Sequence, residues 1–229
     1  MNQLDNTTAG LVPWKPSDVF LALGAVIAVF VALAMLMLPF RDQVGSGAVI
    51  LVFSALITSC ILFASSWVFG PLKHRVSVAT LGFSSPDFST LGLRLLPLSV
   101  LLLALVLNGV YSILVDYWSL EIFKPPELPA FGTSTAVLAG IFFVVFGPLA
   151  EEVFFRGFAL QGISRRFGVK TGVIVSSFLF GILHVNLVIP TFFIGILLAF
   201  LFVRTRSVLP CFLVHSAHNG LVFIASVSV

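Results

Sequence analysis

The stretch "FLALGAVIAVFVALAMLMLPF" covers residues 20 to 40 and contains no charged side chain. A helix needs about 20 apolar residues to cross the hydrocarbon core of a bilayer. This stretch therefore predicts a membrane-spanning helix. Two further runs, residues 49–69 and 95–115, are equally long and equally free of charge, and they predict two more.

The composition and the remaining apolar runs extend this prediction to the whole chain. Of 229 residues, 59% are hydrophobic and 9% are charged, whereas a soluble domain carries about 25% charged residues. Two crossings fit into residues 171–203, with a break near 186–190, and one more fits into residues 207–229. The run that ends at Ala150 makes another crossing if it includes the glutamates that follow. The runs are too long and too uniform for β-barrel strands. We therefore predict an all-α, polytopic transmembrane helix bundle of about seven spans.

The ionisable residues are distributed unevenly between the two halves of the chain. The first three predicted spans carry none, and all those that fall within a later span follow residue 150. We therefore expect a single membrane domain over residues 1–229, with N-terminal scaffold spans in 1–132 and a catalytic core in 133–229.

Basic residues indicate how the bundle is oriented. The net charge is +3, and the loops with an excess of basic side chains are the even-numbered ones, represented by Lys73, Arg165 and Arg204. Loops rich in lysine and arginine stay on the cytoplasmic side, so we expect a cytoplasmic N-terminus. Short loops suggest a bacterial plasma membrane. The expected partners are the lipid bilayer and a peptide or protein substrate; no nucleic-acid partner is expected, and the oligomeric state is left open.

Charged residues inside a span are concentrated in "GPLAEEVFFRG", residues 147–157. A charge at the bilayer centre costs about 2.5 to 3.5 kcal/mol on insertion scales, and such residues are functional candidates. Glu152 and Arg156 are four apart and share one helix face, which predicts a structural ion pair. Glu151 is rotated about 100° from Glu152, so its neighbours must come from other helices.

Three other polar residues reach a similar depth. Counted from the basic loops at about 1.5 Å per residue, Glu151, His184 and Asn219 lie roughly 20 Å into the membrane and His215 roughly 14 Å. A carboxylate can act as general base toward water, while histidine and amide groups orient that water or donate to an oxyanion. Two histidines and a glutamate are also a typical set of catalytic zinc ligands, so a metal site stays open at this point.

The same residues form three motifs of a known family. "EEVFFR" (residues 151–156) matches EExxxR, "FGILH" (180–184) matches FxxxH, and "HSAHN" (215–219) matches HxxxN. Over roughly residues 135–225 the chain resembles the CPBP family, which includes CAAX prenyl endopeptidases and bacteriocin-immunity (Abi) proteins.

The resemblance implies an intramembrane endopeptidase that hydrolyses a peptide bond with a glutamate-activated water. It makes Glu151 the general base with His184 as its helper, and it makes His215 and Asn219 the oxyanion hole. Three residues, Glu152, Arg156 and Phe180, would support the shape of the site. No metal or other cofactor is needed in this reading.

Other functions compete with this one. The alternatives are a zinc-dependent protease with the ion on Glu151, His184 and His215, a non-catalytic membrane scaffold or bacteriocin self-immunity protein, and a proton-coupled transporter. His218 lies 300° around the helix from His215, and we expect it to face another helix and to stand outside the site.

Overall fold

A computed structural model describes residues 12–37, 47–124 and 132–227, and in these ranges every regular element is a helix. The predicted all-α class is confirmed. The predicted ends of the first and last spans, at residues 38–40 and 228–229, lie outside the described residues.

The described ranges contain eight α-helices, several of them joined by short π-helical or 3₁₀ segments. Their bounds are α1 Pro16–Met37, α2 Gly47–Trp67, α3 Leu91–Tyr117, α4 Thr133–Gly140, α5 Gly147–Glu152, α6 Gln161–Ile182, α7 Val188–Thr205 and α8 Val208–Val227. Two π-helical segments, Ile141–Phe146 and Val153–Leu160, connect α4 to α5 and α5 to α6.

Within the described ranges, six helical stretches are long and apolar enough to cross a membrane, so the protein is an integral, multi-pass membrane protein. One of them, Thr133–Ile182, has 50 residues. A straight helix of that length would measure about 75 Å, more than twice the roughly 30 Å of the hydrocarbon core. This stretch must therefore reverse direction.

The reversal takes place at Gly168, whose backbone angles are φ 81° and ψ 161°. A Cβ placed on Gly172 would lie 2.9 Å from the carbonyl oxygen of Leu160 and would overlap the hydroxyl of Ser164. Residues 160 and 172 can be this close only if the chain folds back between them. The long stretch thus holds the predicted fourth and fifth spans as two limbs of one hairpin, and the expected number of about seven stands.

The basic loops gather at one end of the bundle. Arg165 donates a hydrogen bond to a backbone carbonyl just before α1, and the Nζ of Lys73 lies 2.6 Å from Oδ1 of Asp18 in the first turn of α1. The hydroxyl of Ser84 donates to the carbonyl of Arg206 at 2.7 Å. The loops after α2, within the hairpin and after α7 therefore share one side with the start of α1.

Candidate active site

The two glutamates stand at the end of α5, and the turn before them is held by α8. Pro148 has no backbone N–H, so the carbonyl of Val144 lacks its usual α-helical donor. The hydroxyl of Ser216 donates to that carbonyl at 2.5 Å, and Nδ2 of Asn219 donates to the preceding carbonyl, that of Phe143, at 3.1 Å. These two bonds hold α8 against the helix that carries Glu151.

Glu152 and Arg156 form the predicted ion pair in the interior. The carboxylate of Glu152 is fully buried, and its Oε1 accepts a hydrogen bond of 3.0 Å from Nη1 of Arg156. Arg156 also donates from Nη2 to the carbonyl of Gly195 at 3.2 Å. Its guanidinium carbon lies 4.5 Å from the ring centroid of Phe180, a distance typical of a cation–π contact. The pair thus ties α5 to α6 and α7.

His215 belongs to this buried cluster rather than to the open pocket. Its Nδ1 lies 2.8 Å from Oε1 of Glu152, and its ring meets the ring of Phe180 edge-on at 5.7 Å between centroids. Its Nε2 lies 3.8 Å from Oε2 of Glu151. His215 therefore stands between the two carboxylates, with one nitrogen toward each.

Glu151 is more open than its neighbour. Its side chain is 22% exposed, and it lines a pocket of about 480 Å³ together with His184, His218 and Asn219. Helices α1, α2 and α3 add wall residues such as Phe30, so the predicted scaffold spans also shape this pocket. The remaining walls are mostly apolar, as in pockets that bind small molecules or peptides.

His184 lies in a turn just beyond α6 and not inside a span. Helix α6 ends at Ile182, and a 3₁₀ turn at Val185–Leu187 follows, which agrees with the predicted break near residues 186–190. The Nδ1 of His184 is 2.8 Å from the carbonyl of Phe180, and the two rings lie 4.7 Å apart. Phe180 therefore contacts both motif histidines and Arg156.

His218 lies in the site, contrary to the expectation that it faces another helix. It lines the pocket beside Asn219, and its Nδ1 is 3.3 Å from Oδ1 of that residue. A rotation of 300° in one direction is 60° in the other, so residues three apart share a helix face. The i, i+3 spacing from His215 therefore predicts that His218 lies on the same helix face as His215.

Hydrogen-bond partners determine which nitrogen of each histidine carries a proton. A backbone carbonyl only accepts, so Nδ1 of His184 must be the N–H that donates to Phe180. Because Asn219 directs its NH₂ group at Phe143, its oxygen faces His218, and Nδ1 of His218 must also be an N–H. In the neutral rings, Nε2 of His184 and Nε2 of His218 then carry lone pairs.

The same reasoning limits the oxyanion donors. The NH₂ group of Asn219 has two hydrogens; one donates to Phe143 and the other is left for a ligand. Nδ1 of His215 donates to Glu152, so Nε2 of His215 can donate only when the ring carries both protons. Asn219 is therefore ready to donate, whereas His215 depends on its protonation state.

A zinc ion on Glu151, His184 and His215 stays an alternative to a metal-free site. In the described part of the chain, no three His, Cys, Asp or Glu side chains are grouped so that they could hold a metal ion. Of these three residues, His215 has Nδ1 2.8 Å from Oε1 of Glu152 and Nε2 3.8 Å from Oε2 of Glu151. The same side chains can act as a general base and as hydrogen-bond donors without a metal.

Part of the chain matches a known protein family. Residues 133–221 match the family described as type II CAAX prenyl endopeptidase, Rce1-like. This segment holds every predicted site residue, and the match confirms the resemblance to the CPBP family of CAAX proteases there. The searches of curated proteins and of solved structures found no match.

Proposed function

We propose that this protein is an intramembrane endopeptidase in which Glu151 activates the attacking water. The observation that carries the proposal is the partly exposed carboxylate of Glu151, which shares the wall of a largely apolar pocket with His184 and Asn219 in a membrane bundle. The name of the matching family supports hydrolysis of a peptide bond.

The proposed reaction begins with a water between Glu151 and His184. Glu151 accepts a proton from the water, and the lone pair on Nε2 of His184 accepts its second hydrogen and orients it. The hydroxide attacks the peptide carbonyl carbon, and the free hydrogen of the Asn219 amide donates to the oxyanion that forms. The C–N bond then breaks, the proton held by Glu151 passes to the leaving nitrogen, and the products are a carboxylic acid and an amine.

Glu152 has a different part in this proposal. Its charge is paired with Arg156 in the interior, so it does not compete with Glu151 for the water proton. By accepting from Nδ1 of His215, it also places the other nitrogen of that ring toward Glu151. Glu152, Arg156 and Phe180 are therefore positioning residues.

The proposed orientation follows from the shared end of the basic loops. Because Lys73 and Arg165 lie on the same side as the start of α1, the positive-inside rule supports a cytoplasmic position for that end. A reporter fused to the C-terminus, which is active only outside the cytoplasm, tests this: with seven spans it is expected to be active. An inactive reporter would overturn the orientation or the number of spans.

The direct test is cleavage by purified protein in liposomes. The first probe is a fluorogenic prenylated peptide with a CAAX terminus, since the family's name refers to that substrate. We expect Glu151→Gln to lower kcat about 10²- to 10⁴-fold, the usual contribution of a general base, and Glu121→Gln, at an exposed acid, to leave it unchanged.

Two outcomes would count against the proposal. Full activity of Glu151→Gln would exclude Glu151 as the base. Loss of activity on chelation that zinc restores would replace the metal-free reaction with the zinc alternative.

A further inference from the structure

His218 lines the pocket and carries a buried nitrogen that the proposed reaction does not use. His218 is 8% exposed, and its Nε2 is buried without a hydrogen-bond partner among the described residues. A buried polar atom without a partner loses about 1 to 3 kcal/mol relative to a bonded one. Such an atom in the lining of a pocket indicates a group that a ligand satisfies.

The bonding around His218 shows which kind of group this is. Asn219 is anchored to Phe143 through its NH₂ group, and its oxygen accepts from Nδ1 of His218. This chain of bonds leaves a lone pair on Nε2 of the neutral ring. The missing partner of His218 is therefore a hydrogen-bond donor.

A peptide in this pocket supplies such a donor. Inside a membrane, each backbone N–H of an unwound peptide must find an acceptor within the protein, because lipid provides none. The carboxylate of Glu151 and Nε2 of His184 are occupied by water in the proposed reaction, and the oxygen of Asn219 already accepts from His218. Nε2 of His218 is an acceptor of the same pocket that remains available.

We propose that Nε2 of His218 accepts a hydrogen bond from one backbone N–H of the bound peptide and so determines which peptide bond lies beside Glu151. This assignment rests on the proposed function, and it adds to that function a residue that contacts substrate. His218 acts as a hydrogen-bond acceptor and takes no part in the proton transfers.

The test changes one atom of the peptide at a time. In a set of prenylated CAAX-terminated peptides, each backbone amide near the scissile bond is replaced in turn by an ester, which removes the N–H and keeps the chain. Binding and cleavage of each peptide are measured with wild-type protein and with His218→Phe, in the same lipid nanodiscs. Val222→Ala is the matched control, because Val222 lies one turn further along α8 and lines the same pocket without a polar group.

We expect a single ester position to weaken binding to the wild type about tenfold and to have no further effect in His218→Phe. The control Val222→Ala should keep the tenfold ester effect, whatever it does to overall affinity. If no ester position distinguishes wild type from His218→Phe, the inference is wrong. A peptide that binds with this dependence but is not cleaved would overturn the proposed function and keep the role of His218.

A second measurement needs no peptide and no activity. Nitrogen-15 NMR of histidine-labelled protein reports which ring nitrogen of His218 carries the proton, and His218→Phe assigns the signal. We expect the proton on Nδ1 and a lone pair on Nε2. A proton on Nε2 in the neutral ring would overturn the inference, and failure of the wild type to bind any peptide of the set would count against both proposals.

Discussion

Removal of one partner of the buried ion pair is expected to destabilise the protein strongly. Arg156→Met deletes the hydrogen bond to Glu152, the bond to the carbonyl of Gly195 and the cation–π contact with Phe180. The carboxylate of Glu152 then stays fully buried with only His215 as a partner. Breaking a buried pair on one side costs about 3 to 5 kcal/mol.

The cost can be separated from the loss of side-chain volume by a double-mutant cycle. Glu152→Gln preserves the shape and an acceptor for His215 but leaves Arg156 as an unpaired buried charge. In the double variant Glu152→Gln/Arg156→Met no buried charge is left unpaired. We therefore expect the double variant to be destabilised by less than the sum of the two single destabilisations, because mutations of residues in contact are not additive.

Thermal unfolding of the detergent-solubilised protein measures this. For a chain of this size, about 1 kcal/mol corresponds to about 2 to 4 °C in Tm, so each single variant is expected to lose roughly 6 to 20 °C. Lys124→Met breaks an exposed pair with Glu121 and should leave Tm unchanged, because exposed pairs contribute little. If the two single losses simply add in the double variant, or if Lys124→Met lowers Tm equally, the reasoning about the buried pair is refuted.

Two further predictions concern the backbone. Gly168→Ala should destabilise the protein by about 1 to 3 kcal/mol, because the angles at residue 168 are accessible almost only to glycine; a Cβ there has open space, so the cost is purely conformational. Gly24→Ala, in α1 and equally uncrowded, should be neutral or slightly stabilising, and an equal Tm loss in both would contradict this. Ser216→Ala should cost about 1 to 3 kcal/mol of stability, because it removes the hydroxyl that donates to the carbonyl of Val144. Adding Pro148→Ala to this variant should recover part of the loss by restoring a backbone N–H. No recovery in Tm would show that the Ser216 hydroxyl does not replace the backbone N–H missing at Pro148.

Much of the fold could be predicted because the bilayer imposes simple rules. The lengths of uncharged runs marked the spans, and the spacing of Glu152 and Arg156 predicted their pairing, which the structure contains at 3.0 Å. The clustering of Arg165 and its basic neighbours marked the hairpin connection at Gly168. These features depend on local sequence and on helix geometry alone.

The arrangement of the site was less accessible to sequence reasoning. Which carbonyl Ser216 contacts depends on how α8 packs against α5, and no local spacing encodes that. The placement of His184 just beyond a helix depended on where α6 ends, which hydropathy does not resolve. His218 was the one residue whose position could have been found, because its i, i+3 relation to His215 predicts a shared face.

The measurement that tests the central claim most directly is a mass-spectrometric comparison of membrane and secreted peptides. The cells carry wild-type protein, Glu151→Gln or Glu121→Gln at equal expression. The account predicts that an intact precursor accumulates and its cleaved form disappears with Glu151→Gln alone, while the exposed-residue control matches the wild type. If the three profiles agree while deletion of the gene still has a phenotype, the pocket does not hydrolyse peptides in these cells, and the protein acts as a binding scaffold.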